Sequence, residues 1–201
     1  PYRLVPQVVV LPRTTDDIVK LFRYCRENGR HATFRAAGTS LNGQSQSDDI
    51  LIDVRRHWNG GKVEDDGRRV RVRPGMILGH INSLLERYGR RLGPDPASSH
   101  ACTIGGVIAN NAGGMRCTVQ RDAYHTVSAL TFVTPSGAVI VKTTGCATIV
   151  AIGSAGSAGA TCCSLAGVGA ATSDVTPLVS SASLHSSMIG IKLRTRKPSS
   201  L

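Results

Sequence analysis

Aromatic residues stop at Phe132. All eight of them (Tyr2, Phe22, Tyr24, Phe34, Trp58, Tyr88, Tyr124 and Phe132) precede Val141, and the segment after it is dominated by Gly, Ala, Ser and Thr, with Asp174 as its one acid. Ordering a residue costs about 1–2 kcal/mol of backbone entropy, which burial of large side chains must offset. A hydrophobic core is therefore expected from residues 1–141, and residues 142–201 read as a low-complexity tail, either disordered or the product of a shifted reading frame in a GC-rich gene. Within that tail only Ser187-Met188-Ile189-Gly190-Ile191-Lys192-Leu193 has the character of a strand.

The length, 201 residues, suits one domain or one and a half. No run of about 18 apolar residues is present, so no transmembrane segment is expected. The start, Pro1-Tyr2-Arg3, has neither an initiating Met nor the pattern of a signal peptide, and it begins as though cut from something longer. The six cysteines contain no C-x-x-C pair and no zinc-site spacing with His, so they read as reduced thiols of a cytoplasmic protein with no metal. A net charge of +11 suits an anionic partner, but no zinc-finger, RNP or helix-turn-helix pattern accompanies it. Nucleic acid is not expected as a partner, and a basic nucleic-acid-binding module is kept as an alternative.

Val8-Val9-Val10-Leu11, between Pro6 and Pro12, reads as a strand. Thr14-Thr15-Asp16-Asp17 then supplies the start of a helix whose apolar face is Ile18, Leu21, Phe22 and Cys25, and which Asn28-Gly29 stops. Ala32 to Arg35 and Ile50 to Asp53 are further strands. Asp66-Gly67 signals a hairpin into Arg69-Val70-Arg71-Val72-Arg73, whose alternation puts valines on one side and a solvated row of arginines on the other. A second helix carries Ile77, Ile81, Leu84 and Leu85 and ends at Gly89, and a hairpin runs from Val127 to Val141 around Pro135-Ser136-Gly137. The mixture is α+β.

Two glycine-rich stretches carry the candidate chemistry. Arg35-Ala36-Ala37-Gly38-Thr39-Ser40-Leu41-Asn42-Gly43-Gln44 follows a strand directly, and its small side chains let backbone N–H groups and the Thr39 and Ser40 hydroxyls converge on an anion such as a pyrophosphate. The second runs from Gly93 to Gly114. It is too apolar for a linker and too rich in Gly for a core helix, since each interior Gly costs about 1 kcal/mol against Ala. Close backbone approach to a large flat ligand accounts for that cost. Thr103 is placed to cap a short helix whose N-terminal N–H groups are expected to point at phosphate or at a ring edge.

At these stretches the sequence resembles the FAD-binding domain of the vanillyl-alcohol-oxidase-type flavoproteins, the PCMH-type domain, and in particular the FAD-linked D-lactate and 2-hydroxyacid dehydrogenases. The first stretch is similar to that family's pyrophosphate loop. Pro94-Asp95-Pro96-Ala97-Ser98 with Thr103-Ile104-Gly105-Gly106 is similar to its second FAD motif, and Asn110-Asn111-Ala112-Gly113-Gly114 to its third, with Val72-Arg73-Pro74-Gly75 between. The likeness runs from about Val5 to Val141. It implies a PCMH-type fold of two α/β subdomains, incomplete at its C-terminal side, and bound FAD. The cofactor-binding residues it implies are Arg35, Ala36, Ala37, Gly38, Thr39, Ser40, Gly43, Gln44, Pro94, Asp95, Ser98, Thr103, Gly105, Gly106, Asn110, Asn111, Gly113 and Gly114.

Thr39 stands where covalent members carry a flavin-linking His, so noncovalent FAD is expected. The family's Gly-Ser-Glu-Gly-Thr-Leu-like continuation and its substrate cap are not recognisable. Ile152-Gly153-Ser154-Ala155-Gly156 is a faint echo without the Glu, which favours the truncated or frame-shifted origin over a linker. The resemblance implies a small 2-hydroxy acid as substrate of the intact enzyme, an electron acceptor or iron–sulfur partner, and a place in the cytoplasm or at the periphery of the inner membrane. The six histidines (His31, His57, His80, His100, His125 and His185) and Cys117 are assigned no catalytic role. The chain is expected to be the FAD-binding portion of such an oxidoreductase, inactive alone. A fragment that binds no flavin is the other alternative.

Overall fold

The computed structural model describes residues 3–143, 149–152 and 188–198. Two sheets organise them. The first is parallel, with strands β1 (Val8–Val10), β2 (Ala32–Arg35) and β3 (Ile50–Asp53) in the order β1-β3-β2, and register Val8 to Ile50 and Ala32 to Ile50. Parallel strands need a crossover connection, and helix α1 (Thr15–Glu27) provides the one between β1 and β2, which lie on either side of β3. Its N-terminus is the expected capping box. The Asp17 N–H donates to Thr14 Oγ1 at 3.2 Å, while the Thr14 N–H donates to the Asp17 carboxylate at 2.9 Å. The helix ends at Asn28 and Gly29, the latter at φ +59°.

Ile18, Val19, Phe22 and Cys25 of α1 pack on Ile50 and Ile52, with Phe22 edge-on to Phe34 at 5.9 Å between ring centres. Buried Trp58 closes this core and donates its indole N–H to Pro12 O at 2.7 Å.

The second sheet is antiparallel, in the order β4-β5-β9-β6-β7-β8, where β9 is Met188–Arg194. Strands β4 (Gly61–Glu64) and β5 (Arg69–Val72) form the hairpin signalled by Asp66-Gly67, with Asp65, Asp66 and Gly67 at φ 52°, 50° and 81°. Strands β6 (Val127–Val133) and β7 (Val139–Thr143) form the other hairpin, and β8 (Ile149–Ile152) extends it. Helices α2 (Leu78–Glu86) and α3 (Ile104–Ala109) cover one face, where Leu78, Ile81, Leu85 and Ile104 meet Val70, Val72, Ile191 and Leu193. A four-residue helix, α4 (Ala123–Thr126), leads into β6. Val133 joins the core of the first sheet, so the two subdomains share apolar contact, and the whole is the expected α+β fold.

Strand β9 (Met188–Arg194) is the stretch expected around Ser187 to Leu193. It lies in the middle of the sheet, pairing with β5 (Arg71 to Lys192) and β6 (Leu130 to Ile191), and Ile191 and Leu193 are each 1% exposed. Ile191 and Leu193, from the segment assigned to the low-complexity tail, thus complete a core. The faint echo at Gly153 to Gly156 lies outside the described residues. No helix among the described residues is long and apolar enough to cross a membrane.

Candidate functional site

Beyond β2 the chain turns through Gly38 and Gly43, at φ +69° and +72°. The Arg35 side chain folds back across the turn: a Cβ on Gly38 would stand 2.6 Å from Arg35 Nη2, and Arg35 Nη1 donates to Ser45 O at 3.3 Å. The N–H groups of Gly38, Thr39 and Ser40 find no acceptor among the described residues. Three successive free donors beside two hydroxyls are what an anion-binding backbone concavity requires.

Helix α3 is capped as expected, with the Gly106 N–H directed at Thr103 Oγ1 at 3.4 Å. Its other leading N–H groups are not free for a ligand, contrary to expectation. Ile104 N–H donates to Met76 O at 2.8 Å and Gly105 N–H to Pro74 O at 2.9 Å, because the bridge between Ile77 and Thr103 brings the 74–77 segment against the helix start. Three successive free N–H groups are thus found in the first loop and not at the start of α3. The two glycines of α3 also differ. Gly105 is buried against Pro74, whereas Gly106 lines open space.

The first loop and α3 meet directly. Asn110 Nδ2 donates to Ser40 Oγ at 3.4 Å, and Gln44 Nε2 donates to Asn110 Oδ1 at 3.3 Å. Two adjoining clefts open along this seam. One, of about 330 Å³, is bounded by Thr39, Ser40 and Asn42 on one side and by Ser98, Gly106 and Ala112 on the other. The smaller, about 70 Å³, runs past Ala36, Ala37, Gly38 and Thr103. Gln44 and Asn110 border both. The Gln44 Oε1 atom is buried and accepts no hydrogen bond, an acceptor still lacking a donor.

The remaining motif residues brace this seam. Pro94 is buried. Asp95 takes Arg91 Nη2 at 2.9 Å and lies 3.9 Å from Arg116 Nε, while its N–H donates to Gly113 O at 2.9 Å. A Cβ on Gly114 would fall 2.0 Å from Asp95 O, so this glycine serves the packing of two motifs on each other. Asn111, at φ +45°, is turned to α4. Its Nδ2 donates to Asp122 at 3.2 Å and its Oδ1 accepts from the Tyr124 N–H at 3.0 Å.

Cys102 borders the larger cleft and was not among the residues singled out from sequence; no spacing signal marks it. Burial pushes its thiol pKa up, against the opposing hydrogen bond with Ser98. Neither cleft is bordered by a His, Lys, Arg, Asp, Glu or Tyr among the described residues.

The chain is similar in sequence to known proteins. D-2-hydroxyglutarate dehydrogenase of Pantoea ananatis is 33% identical over 117 residues, covering 56% of this chain and 11% of that protein. Glycolate oxidase subunit GlcD of Escherichia coli is 33% identical over 118 residues, 58% of this chain and 24% of that one. D-lactate dehydrogenase of Anaerostipes hadrus is 29% identical over 137 residues, 67% of this chain and 29% of that one. The match thus spans less than a third of each of these relatives.

Among solved structures, 6-hydroxy-D-nicotine oxidase of Arthrobacter nicotinovorans superposes with a TM-score of 0.70 at 17% identity, over 98% of this chain and 38% of that one. The BBE-like 1 protein of Physcomitrella patens gives 0.69 at 13%, over 99% and 38%. The family described as FAD binding domain matches residues 6–143, and with the glycine-rich loop and capped helix facing one seam, the chain belongs to that family of FAD-binding oxidoreductase domains.

Proposed function

We propose that the chain holds FAD noncovalently along the seam between the first loop and α3, as the cofactor-binding portion of an oxidoreductase acting on a small D-2-hydroxy acid. The carrying observation is the convergence of Ser40, Gln44 and Asn110 on one cleft. The free N–H groups of Gly38, Thr39 and Ser40 suit a pyrophosphate, the orphaned Gln44 Oε1 suits a ligand N–H or hydroxyl, and Gly106 leaves room for close approach. When bound, FAD would supply the acceptor for a hydride equivalent from the substrate α-carbon. The chain's own residues bind and orient it, and Asp95, Asn111 and Gly114 keep the two motifs in register.

The noncovalent reading rests on Thr39 in the loop, on the lack of a cleft His among the described residues, and on the raised thiol pKa of Cys102, which suppresses the reactive thiolate. The 2-hydroxy acid is inferred from the named activities of the relatives, and the intact protein would pass electrons to an acceptor or iron–sulfur partner. Free, buried Cys25, Cys102 and Cys117 support a reducing compartment, the cytoplasm. The chain alone is read as inactive.

Titration of the apo-chain with FAD, followed by quenching of flavin fluorescence, tests the proposal. Saturable binding that is abolished by Gly106→Val and unchanged by Arg71→Ala is expected. Equal loss in both variants, or no binding to the folded chain, overturns it. Acid precipitation then separates the two linkage modes, since a noncovalent flavin leaves the yellow colour in the supernatant.

A further inference from the structure

The face of the antiparallel sheet opposite α2 and α3 is a cationic trough with one carboxylate too few. Residues directly opposite on neighbouring strands share a face, at about 4.8 Å between strands. Two rows cross β4, β5 and β9 in this way: Lys62, Arg71 and Lys192 in one, and Glu64, Arg69 and Arg194 in the other. Like charges set opposite each other destabilise a sheet unless an anion lies between them. In the first row an anion does. Glu64 reaches across to bridge Arg71 at 3.0 Å and Lys192 at 2.6 Å, and these two cations hold its carboxyl below the usual carboxylate range.

The second row has no such bridge. Among the described residues Arg69 forms an ion pair only with Asp65, at 3.4 Å and half exposed, and Arg194 has no ion-pair partner. Arg69, Arg71, Lys192 and Arg194 border a cavity of about 330 Å³ that continues over Ser128 and Thr131. None of its bordering residues among those described is aromatic.

We propose that this trough is a docking site for an acidic segment of another polypeptide, one of whose carboxylates bridges Arg69 and Arg194 as Glu64 bridges Arg71 and Lys192. Charge complementarity selects the occupant. The bridging Glu64 shows that a carboxylate fits between cations of adjacent strands. Single-stranded nucleic acid is disfavoured because no ring for bases to stack on borders the trough among the described residues. A bilayer surface is disfavoured because Lys192, with 21% of its side chain exposed, lies in a hollow that a flat surface does not enter. The site lies on the sheet face, apart from the flavin seam, so its success or failure is independent of the cofactor assignment.

A fluorescein-labelled deca-glutamate peptide is the probe, followed by anisotropy with the full 201-residue chain at low salt. Arg69→Gln/Arg194→Gln is expected to weaken binding about tenfold or more, whereas Arg23→Gln/Arg26→Gln, which removes the same charge from exposed α1 positions, changes it by less than about twofold. Glu64→Gln removes the internal competitor and is expected to tighten binding several-fold, an effect that damage to the fold would not produce. The proposal is overturned by equal losses in the two double variants, by weaker binding in Glu64→Gln, or by a single-stranded oligonucleotide or phosphatidylserine vesicles binding more tightly than the peptide.

Discussion

Gly105 sits directly on Pro74: a Cβ added there would stand 2.8 Å from Pro74 Cβ and 3.0 Å from Pro74 O, while one on neighbouring Gly106 would meet only Thr103 Oγ1 at 3.7 Å. Adjacent glycines of one motif thus answer to different demands, the first to packing of α3 on the 74–77 segment and the second to the cleft. Overpacking costs about 1–3 kcal/mol. Gly105→Ala is therefore expected to lower the urea midpoint by a corresponding amount. Gly106→Ala should hold the midpoint or raise it slightly, since Ala is the better helix former, yet weaken FAD. Paired urea and flavin titrations of the two variants check this, and a shared loss of stability would count against the division.

Buried Trp58 gives a second expectation. Its indole N–H is donated to Pro12 O at 2.7 Å, a contact spanning 46 residues that ties the start of α1's approach to the segment after β3. Trp58→Phe keeps an aromatic body but orphans Pro12 O, at a cost of about 1–3 kcal/mol. Urea unfolding monitored by circular dichroism, rather than by the lost Trp fluorescence, reads the change.

The local elements were legible because each is specified by neighbours in sequence. Thr14 and Asp17 write the start of α1, Asn28-Gly29 its end, and Asp66-Gly67 the first hairpin. The cleft was legible through motif resemblance joined to side-chain size. What could not be read is whatever depends on a partner distant in sequence. Strand β9 shows apolar alternation at Ile191 and Leu193, but its insertion between β5 and β6 is decided by strands more than 50 residues away. The spent N–H groups of α3 have the same origin: nothing in Thr103 to Gly106 announces that Pro74 and Met76 carbonyls will take them. Asn111 likewise looks like a ligand residue beside Asn110, and only the fold turns it towards Asp122.

Asp49 is expected to contribute to acid sensitivity. Its carboxylate accepts Arg30 Nε at 2.8 Å and the His31 N–H at 2.7 Å, pinning the start of β2 to the start of β3. The Arg30 guanidinium, then the His31 N–H, hold its pKa below 3.8 in the folded chain. A depressed folded pKa contributes stability that is fully present above the unfolded pKa, near 4, and is lost as pH falls through the folded value. Asp49→Asn should thus be less stable than the parent at pH 7, with the gap closing below about pH 4. Urea midpoints of both proteins from pH 7 to pH 3 measure it; a gap that is constant with pH would assign the loss to packing instead.

The last expectation concerns turnover. Oxidation of a 2-hydroxy acid needs a base at the hydroxyl proton, typically worth about 10² to 10⁴-fold, besides orientation of the substrate beside the acceptor. The two clefts offer hydroxyls, amides and apolar groups, and their one titratable side chain among the described residues is Cys102, whose pKa burial raises. A protonated thiol at neutral pH is neither a base for an alcohol nor a counter-charge for a carboxylate. The proposed flavin seam therefore offers, among the described residues, no base with which to complete a reaction centre. The chain loaded with FAD is expected to keep its flavin oxidised when mixed anaerobically with D-lactate, glycolate or D-2-hydroxyglutarate, while dithionite bleaches it at once. Rapid bleaching by any one of the three acids would show that residues elsewhere in the chain supply the base, and would remove the reading of the isolated chain as a binding portion only.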